Sequence, residues 1–348
     1  MGYTTGKSVV GLDIQPGYVA AVEGHSGKVA VDRAASAQLP PGVVRDGEVV
    51  DVDTLATALK ELFSEHKLGR RVRIGVANQR IVMRTLDLPP LQNAKEIASA
   101  VRFQAQDHIP MPLEQAVLEH QSLGVVETAE GPRTRVVLVA ARRDMIERLV
   151  EATRKAGLRP QGVDLSAFAM IRALHKPGAS NATLYISVGG ITNLAVAAGT
   201  TCVFTRVVAY GTEAIAGELA QRRGLTLEHS HAWLKHVGLS QSIEEIEGEQ
   251  EIVVEARTVL TEGTRRVADE IRNSLDFHAM QEGTASVEHA VLTGPAVAIP
   301  GFAEQLSEEV GLSLEVRVVE EGKPGGFGGV DAGGLAVAAG LTVEDVVA

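Results

Sequence analysis

Cysteine is nearly absent: Cys202 is the only one in 348 residues. One thiol cannot close a disulfide or a thiolate metal cluster within a chain, so a reducing cytoplasm is the expected compartment. Long apolar runs are missing too. No stretch approaches the roughly 18 uninterrupted apolar residues of a spanning helix, and the first residues lack the apolar core of a signal peptide. Direct membrane insertion is therefore not expected, and any association with a membrane should pass through a partner. Met1-Gly2 begins like a myristoylation signal, but the position that should be serine or threonine is Gly6, so the motif fails. Concentrated positive charge is the third absence. The formal net charge is -11, and the pairs Arg70-Arg71, Arg142-Arg143, Arg222-Arg223 and Arg265-Arg266 are scattered among carboxylates instead of forming a stripe, which argues against nucleic acid as a partner.

Common catalytic signatures are missing as well. There is no G-x-S-x-G elbow for a serine nucleophile, and the pair His229-Ser-His231 has neither the HExxH pattern nor a carboxylate cluster beside it, so a metal centre is not expected. The glycine-rich stretch Gly322 to Gly334 lacks the G-x-x-x-x-G-K-[ST] order of a phosphate loop and reads as a flexible connection into a last Ala-rich helix over about 332–340.

What is present describes a soluble α/β chain long enough for two domains or one bilobal unit, with 45% hydrophobic and 22% charged residues. Val9 to Ile14 and Tyr18 to Glu23 read as strands around a Pro16-Gly17 turn. Leu55, Ala58, Leu59, Leu62 and Phe63 fall at helical spacing behind Asp53, the expected cap. Val72, Ile74 and Val76 alternate as a strand, and Ile81 to Leu86 is another before Pro89-Pro90. A helix is expected over Asn93 to Gln106. A polar loop then leads to a buried strand, Val136 to Ala141, and a helix that Asp144 caps. This alternation of strand and helix predicts α/β architecture.

The second half restarts the opening pattern. Leu184 to Val188 is a strand, Gly189-Gly190 a turn, and Leu194 to Ala198 and Val203 to Val207 are further strands. Superimposing Gly11-Leu-Asp13-Ile14 on Tyr185-Ile-Ser187-Val188 sets two strand-turn-strand units 174 positions apart, which points to an internal duplication. A long helix is expected from about Gln250 to Gln281. Three turns that follow strands, Asp13 to Gly17, Ser187 to Thr192 and Thr293 to Ala296, could offer backbone N–H groups to an anion, or simply reverse the chain. Asp13 can hold a hydrated magnesium ion; capping an Asx turn is the other reading of the same residue. Lys235 can contact a nucleotide or stand in solvent.

Taken together these residues resemble a known family. Gly11-Leu-Asp-Ile with Val22-Glu23 and Leu39-Pro-Pro-Gly-Val-Val-Arg-Asp-Gly-Glu-Val-Val-Asp51 is similar to the opening of PilM proteins of type IV pilus assembly. Leu86-Asp-Leu-Pro-Pro90, Ala100-Val-Arg-Phe-Gln-Ala105 and His108-Ile-Pro-Met-Pro112 resemble the family's inserted segment. Val137 to Ala141, Ala156 to Pro160, Val163 to Phe168, Thr192 to Leu194, Phe204 to Arg206, Ser274 to Phe277 and Leu292 to Gly294 follow in family order. The resemblance implies an actin-like fold of two RNase H-like lobes, the first over 1–180 with an FtsA-like insertion at about Thr85 to Gly162, the second over 181–348. It implies a cytoplasmic scaffold held at the inner membrane by the tail of a PilN-like protein, with the pilus motor ATPase or platform proteins as further partners.

The resemblance also implies an interlobe site for ATP and Mg2+, formed by Asp13, Gly17, Gly189, Gly190, Thr192, Asn193, Gly211, Lys235 and Gly294, with Asp13 on the metal through water. The loops depart from the family pattern. Asp13-Ile-Gln-Pro-Gly17 stands where Asp-Ile-Gly-Ser-Ser is usual, and Pro16 has no N–H to give. Ser187 replaces an aspartate, Thr293-Gly-Pro-Ala296 keeps only the first glycine of Thr-Gly-Gly-Gly, and Ala232 stands where a glutamate precedes the lysine. Binding of ATP is therefore expected to be weak or lost, and no catalytic base can be named. The rival readings are a working ATPase or sugar-kinase relative, which needs a carboxylate base in the cleft, and an FtsA-like filament former, which the short acidic tail Leu341 to Ala348 does not favour.

Overall fold

The computed structural model describes residues 9–24, 29–91, 93–129, 131–176, 182–281, 284 and 286–343. Met1 to Gly6, with the failed myristoylation motif, and residues 344–348 of the acidic tail lie outside them. The chain begins with β1 (Val10–Gln15) and β2 (Tyr18–Gly24), joined by Pro16 and by Gly17 at φ +82°, a left-handed conformation that glycine adopts without strain. β3 (Ala30–Gln38) extends the meander, and β4 (Val44–Arg45) and β5 (Glu48–Val49) form a small ladder. α1 (Val52–Glu65) is capped by Asp51, whose side chain accepts from the N–H groups of Asp53 and Thr54. Asp53, the expected cap, instead lies in the first turn, where its charge suits the helix dipole.

Next come β6 (Arg71–Val76), β7 (Val82–Leu88), and α2 (Ala94–His108) behind the cap Asn93, then β8 (Ala116–Thr128), β9 (Gly131–Arg142), α3 (Arg143–Lys155), β10 (Arg159–Leu165) and α4 (Ser166–Leu174). The polar loop expected before Val136 is instead β8 and the first part of β9. Most side chains of β8 are exposed or half-buried, so no apolar alternation announces it. The second half runs through β11 (Ala182–Val188), β12 (Thr192–Ala198), β13 (Thr201–Val208), α5 (Thr212–Arg223), α6 (Leu227–Val237), α7 (Gln250–Ala279), β14 (Val287–Thr293), α8 (Phe302–Val310), β15 (Leu314–Val316), β16 (Glu320–Glu321) and α9 (Ala336–Gly340).

Two sheets carry the larger of two compact units, residues 1–77 with 152–348. Their orders are β10-β6-β1-β2-β3-β16 and β13-β12-β11-β14-β15. In each, an antiparallel meander of three strands has its first strand, β1 or β11, paired parallel to a later one, β6 or β14, which pairs parallel in turn with β10 or β15. The same topology twice is what a duplicated unit produces. Tyr185, Ile186 and Leu184 on β11, Leu260 and Ile271 on α7 and Phe302 on α8 are buried around the second sheet. The smaller unit, 78–151, pairs the sheet β7-β9-β8 with α2 through Leu86, Leu88, Ile97, Val101, Val136 and Leu138.

Two boundaries differ from the sequence reading. The insertion was expected at 85–162, but β10 pairs with β6, which returns 159–165 to the six-stranded sheet. The second lobe was expected to keep everything after 181, yet β16 pairs with β3, and α9 packs on β1 and α4. Small residues permit that approach: a methyl at Gly11 would run into the carbonyl of Ala338. Nor is the glycine-rich stretch a flexible connection. Gly322 N–H donates to Val31 O at 2.8 Å, Ala34 N–H to Gly326 O at 2.7 Å and Gly294 N–H to Gly333 O at 2.9 Å, so its backbone is tied to β3 and to the turn after β14. Among the described residues no helix is long and apolar enough to cross a membrane.

Candidate functional site

Strand β1 ends at the first of the three loops. Asp13 and Gln15 are two positions apart on it, and Gln15 Nε2 donates to Asp13 Oδ2 at 2.7 Å. Both are buried, at 2% and 5% exposure. Burial pushes the Asp13 carboxyl up to about 6, with the Gln15 hydrogen bond opposing the shift in part. The Tyr18 phenol is pushed up as well, first by burial and then by the nearby Asp13 charge. Gln15 Oε1 is buried with no donor among the described residues, an unmade bond of the kind that costs on the order of 1–3 kcal/mol.

The second loop follows β11. Ser187 and Asn193 face each other across the β11–β12 hairpin, and both are buried. Gly189 N–H donates to Ile191 O at 3.0 Å, and Gly189 O accepts from Thr212 N–H at 2.7 Å, where Gly211 begins α5. The Thr192 hydroxyl donates to Tyr210 O at 2.8 Å. Asn193 Oδ1 is a second buried acceptor without a donor among the described residues.

These two loops meet. A Cβ at Gly189 would lie 2.5 Å from Gln15 Oε1 and 2.8 Å from Tyr18 Oη, and one at Gly190 would collide with the carbonyl oxygen of Pro16. On the far side of the turn, a Cβ at Gly17 would strike the carboxylate of Glu213 on α5. Glu213 Oε2 is 2.9 Å from His231 Nε2 on α6. Sequence reasoning missed this pair: the two residues are 18 positions apart on different helices, and the only local signal was a glutamate in the first turn after Gly211. His231 thus has one carboxylate neighbour, but no group of three potential metal ligands exists among the described residues.

The third loop follows β14. Gly294, at φ +100°, lies against the backbone of Val188, and Gly333 O accepts from both Gly294 N–H at 2.9 Å and Thr293 Oγ1 at 3.2 Å. Lys235 is largely exposed, its Nζ 4.0 Å from Asp331 Oδ2. The structure therefore gathers Asp13, Gly17, Gly189, Gly190 and Gly211 in one contact with Thr192 and Asn193 beside it, while Lys235 and Gly294 adjoin the glycine-rich segment through Asp331 and Gly333.

A magnesium-bound triphosphate needs free N–H donors and an ionised carboxylate. Pro16 has no N–H, and those of Gly189 and Gly294 are already bonded within the chain. Burial disfavours the ionised form of Asp13, lifting its carboxyl to about 6, and its Oδ2 already accepts from Gln15 Nε2. Gln15 and Tyr18 cover Gly189, the residue the resemblance assigns to the phosphates. In these respects the residues present do not fit that ligand.

A family model described as type IV pilus assembly protein PilM matches residues 11–322. A chain of a PilM–PilN type IV pilus biogenesis complex superposes with a TM-score of 0.78 at 27% identity, covering 97% of this chain and 98% of that one. The ethanolamine utilisation protein EutJ from Carboxydothermus hydrogenoformans superposes at 0.55 with 16% identity, over 97% of this chain and 89% of that one. MreB5 of Spiroplasma citri bound to ADP gives 0.55 with 12% identity, over 97% and 95%. Cell division protein FtsA of Streptococcus pneumoniae is 21% identical over 311 residues, 79% of this chain and 67% of that protein. The α/β fold is that of the actin-like ATPase proteins. With its model matched from Gly11 to Gly322, the chain belongs to the type IV pilus assembly protein PilM family.

Proposed function

We propose that the chain is a scaffold of the type IV pilus inner-membrane platform which binds the cytoplasmic tail of a PilN-like protein and has weak or no affinity for ATP. One observation carries the partner: the likeness to a chain of a PilM–PilN complex extends over 97% of this chain at a TM-score of 0.78, well above the 0.55 shared with nucleotide-bound MreB5. The nucleotide part rests on the loop geometry, in which N–H donors and the Asp13 carboxyl are committed within the chain. On this reading the protein is cytoplasmic and reaches the inner membrane through its partner. Fractionation of cells with and without the PilN-like gene tests it. Membrane recovery should depend on that gene, and undiminished recovery in its absence would contradict the proposal.

A further inference from the structure

The cleft loops have a second property, which concerns what holds the lobes together. In a two-lobed nucleotide protein the phosphates lie between the loops and bridge them, so closure depends on ligand. Here the loops bridge themselves. We propose that the Pro16-Gly17 turn of the first lobe and Gly189, Gly190 and Glu213 of the second form a clasp that keeps the cleft closed without nucleotide, with the side chains of Gln15 and Tyr18 taking the place of phosphates. The inference rests on the reading of the cleft as a poor nucleotide site and goes further, because a poor site could equally stand open.

Three features support the clasp. The first is the spacing of the glycines. Gly190 abuts the backbone carbonyl of Pro16 so closely that the position has no room for a methyl group, and Gly17 faces the Glu213 carboxylate. Contact this tight exists only while the lobes are closed, since each pair joins one lobe to the other. The second is the side-chain filling. Gln15 is anchored by its hydrogen bond to Asp13 and presents its other amide atom to Gly189, with Tyr18 Oη beside it. A proline at 16 suits this role because its fixed φ stiffens the turn that enters the second lobe. The third is the far wall. Glu213 is held by His231 at 2.9 Å and by its place in the first turn of α5, so the surface that Gly17 meets is itself positioned. A scaffold built this way presents a constant interlobe geometry to its partner whatever the nucleotide level.

Hydrogen exchange on the full chain, read by mass spectrometry, tests the clasp. In the ligand-free protein, amides of 15, 17, 18 and 187–191 should exchange slowly, and millimolar Mg-ATP should leave them unchanged. Gly190→Ala should speed exchange about tenfold or more in both segments at once, because one methyl separates both sides of the contact. Gly217→Ala, on α5 with open space around it, should do neither. If Gly190→Ala does not fold, Gln15→Ala serves, since it removes the filling without inserting bulk; it should raise exchange at 187–191. Fast exchange of both segments in the ligand-free wild type, or a Gly190→Ala or Gln15→Ala effect confined to the mutated segment, overturns the clasp while leaving the weak-nucleotide reading intact. Micromolar Mg-ATP binding overturns that reading instead, and slow exchange in the ligand-free chain would still support the clasp.

Discussion

Replacing Asp13 by asparagine should stabilise this protein at neutral pH, the opposite of what removing a functional magnesium ligand would do. Asp13 is 2% exposed and takes its hydrogen bond from the neutral Gln15 amide; burial raises its carboxyl from 3.8 to about 6. A raised carboxylate pKa means that the folded state holds the proton more tightly than the unfolded state. Between about pH 4 and pH 6 the folded chain therefore binds more protons, and stability falls as pH rises. Above pH 6 the full cost of burying the ionised group is present, at about 1.4 kcal/mol per unit and so roughly 3 kcal/mol for this shift. Below pH 4 the cost is absent, because the carboxyl is neutral in both states. Asparagine has the same shape, still accepts from Gln15 Nε2 and never ionises. Urea unfolding midpoints at pH 4, 5, 6.5 and 8 give the test. The difference between Asp13→Asn and wild type should be near zero at pH 4, grow to pH 6 and stay flat beyond. Destabilisation by Asp13→Asn at pH 8, or a difference independent of pH, would refute the assignment of Asp13 as an unpaired buried carboxyl.

Two further predictions concern the framework. Phe302 is fully buried against the second sheet, so Phe302→Ala should cost about 3–5 kcal/mol, read as a lower denaturation midpoint; a loss below about 1 kcal/mol would mean that the site collapses around the cavity. Asp51 caps α1 through the Thr54 and Asp53 N–H groups, and its hydrogen bonds with Thr54 hold its carboxyl below the usual range. A lowered pKa contributes stability that is present at neutral pH and lost on acidification, so Asp51→Ala should lower the melting temperature at pH 7 and have a smaller effect at pH 3, as calorimetric scans at the two pH values would show.

How much of this was readable in the chain depended on whether the signal was local. The β1–β2 hairpin declared itself through Pro16-Gly17, and α1 and α7 through apolar residues at helical spacing, because one face of each is buried. The short helix α4 did not: Ser166, Ala167, Ala169, Met170, Ile171 and Leu174 are all buried, so almost no polar side is left to mark a period. β8 failed for the opposite reason, having few buried positions. In the cleft, the duplication placed Asp13, Gly17, Gly189 and Gly190 at matching turns, but their mutual contact could not be read, since it depends on how the two lobes meet. The same holds for Glu213 with His231, and for the glycine-rich segment, whose order comes from backbone bonds to β3 and to Gly294 that no run of sequence announces.

The central claim is that this actin-like chain serves by holding a partner and not by turning over nucleotide. Calorimetric titration of the full chain with a peptide of the cytoplasmic tail of the PilN-like protein, and separately with Mg-ATP, tests it most directly. The account predicts a saturable heat with the peptide and Mg-ATP binding no tighter than millimolar; micromolar Mg-ATP affinity with turnover, or no binding of the tail peptide, would contradict it.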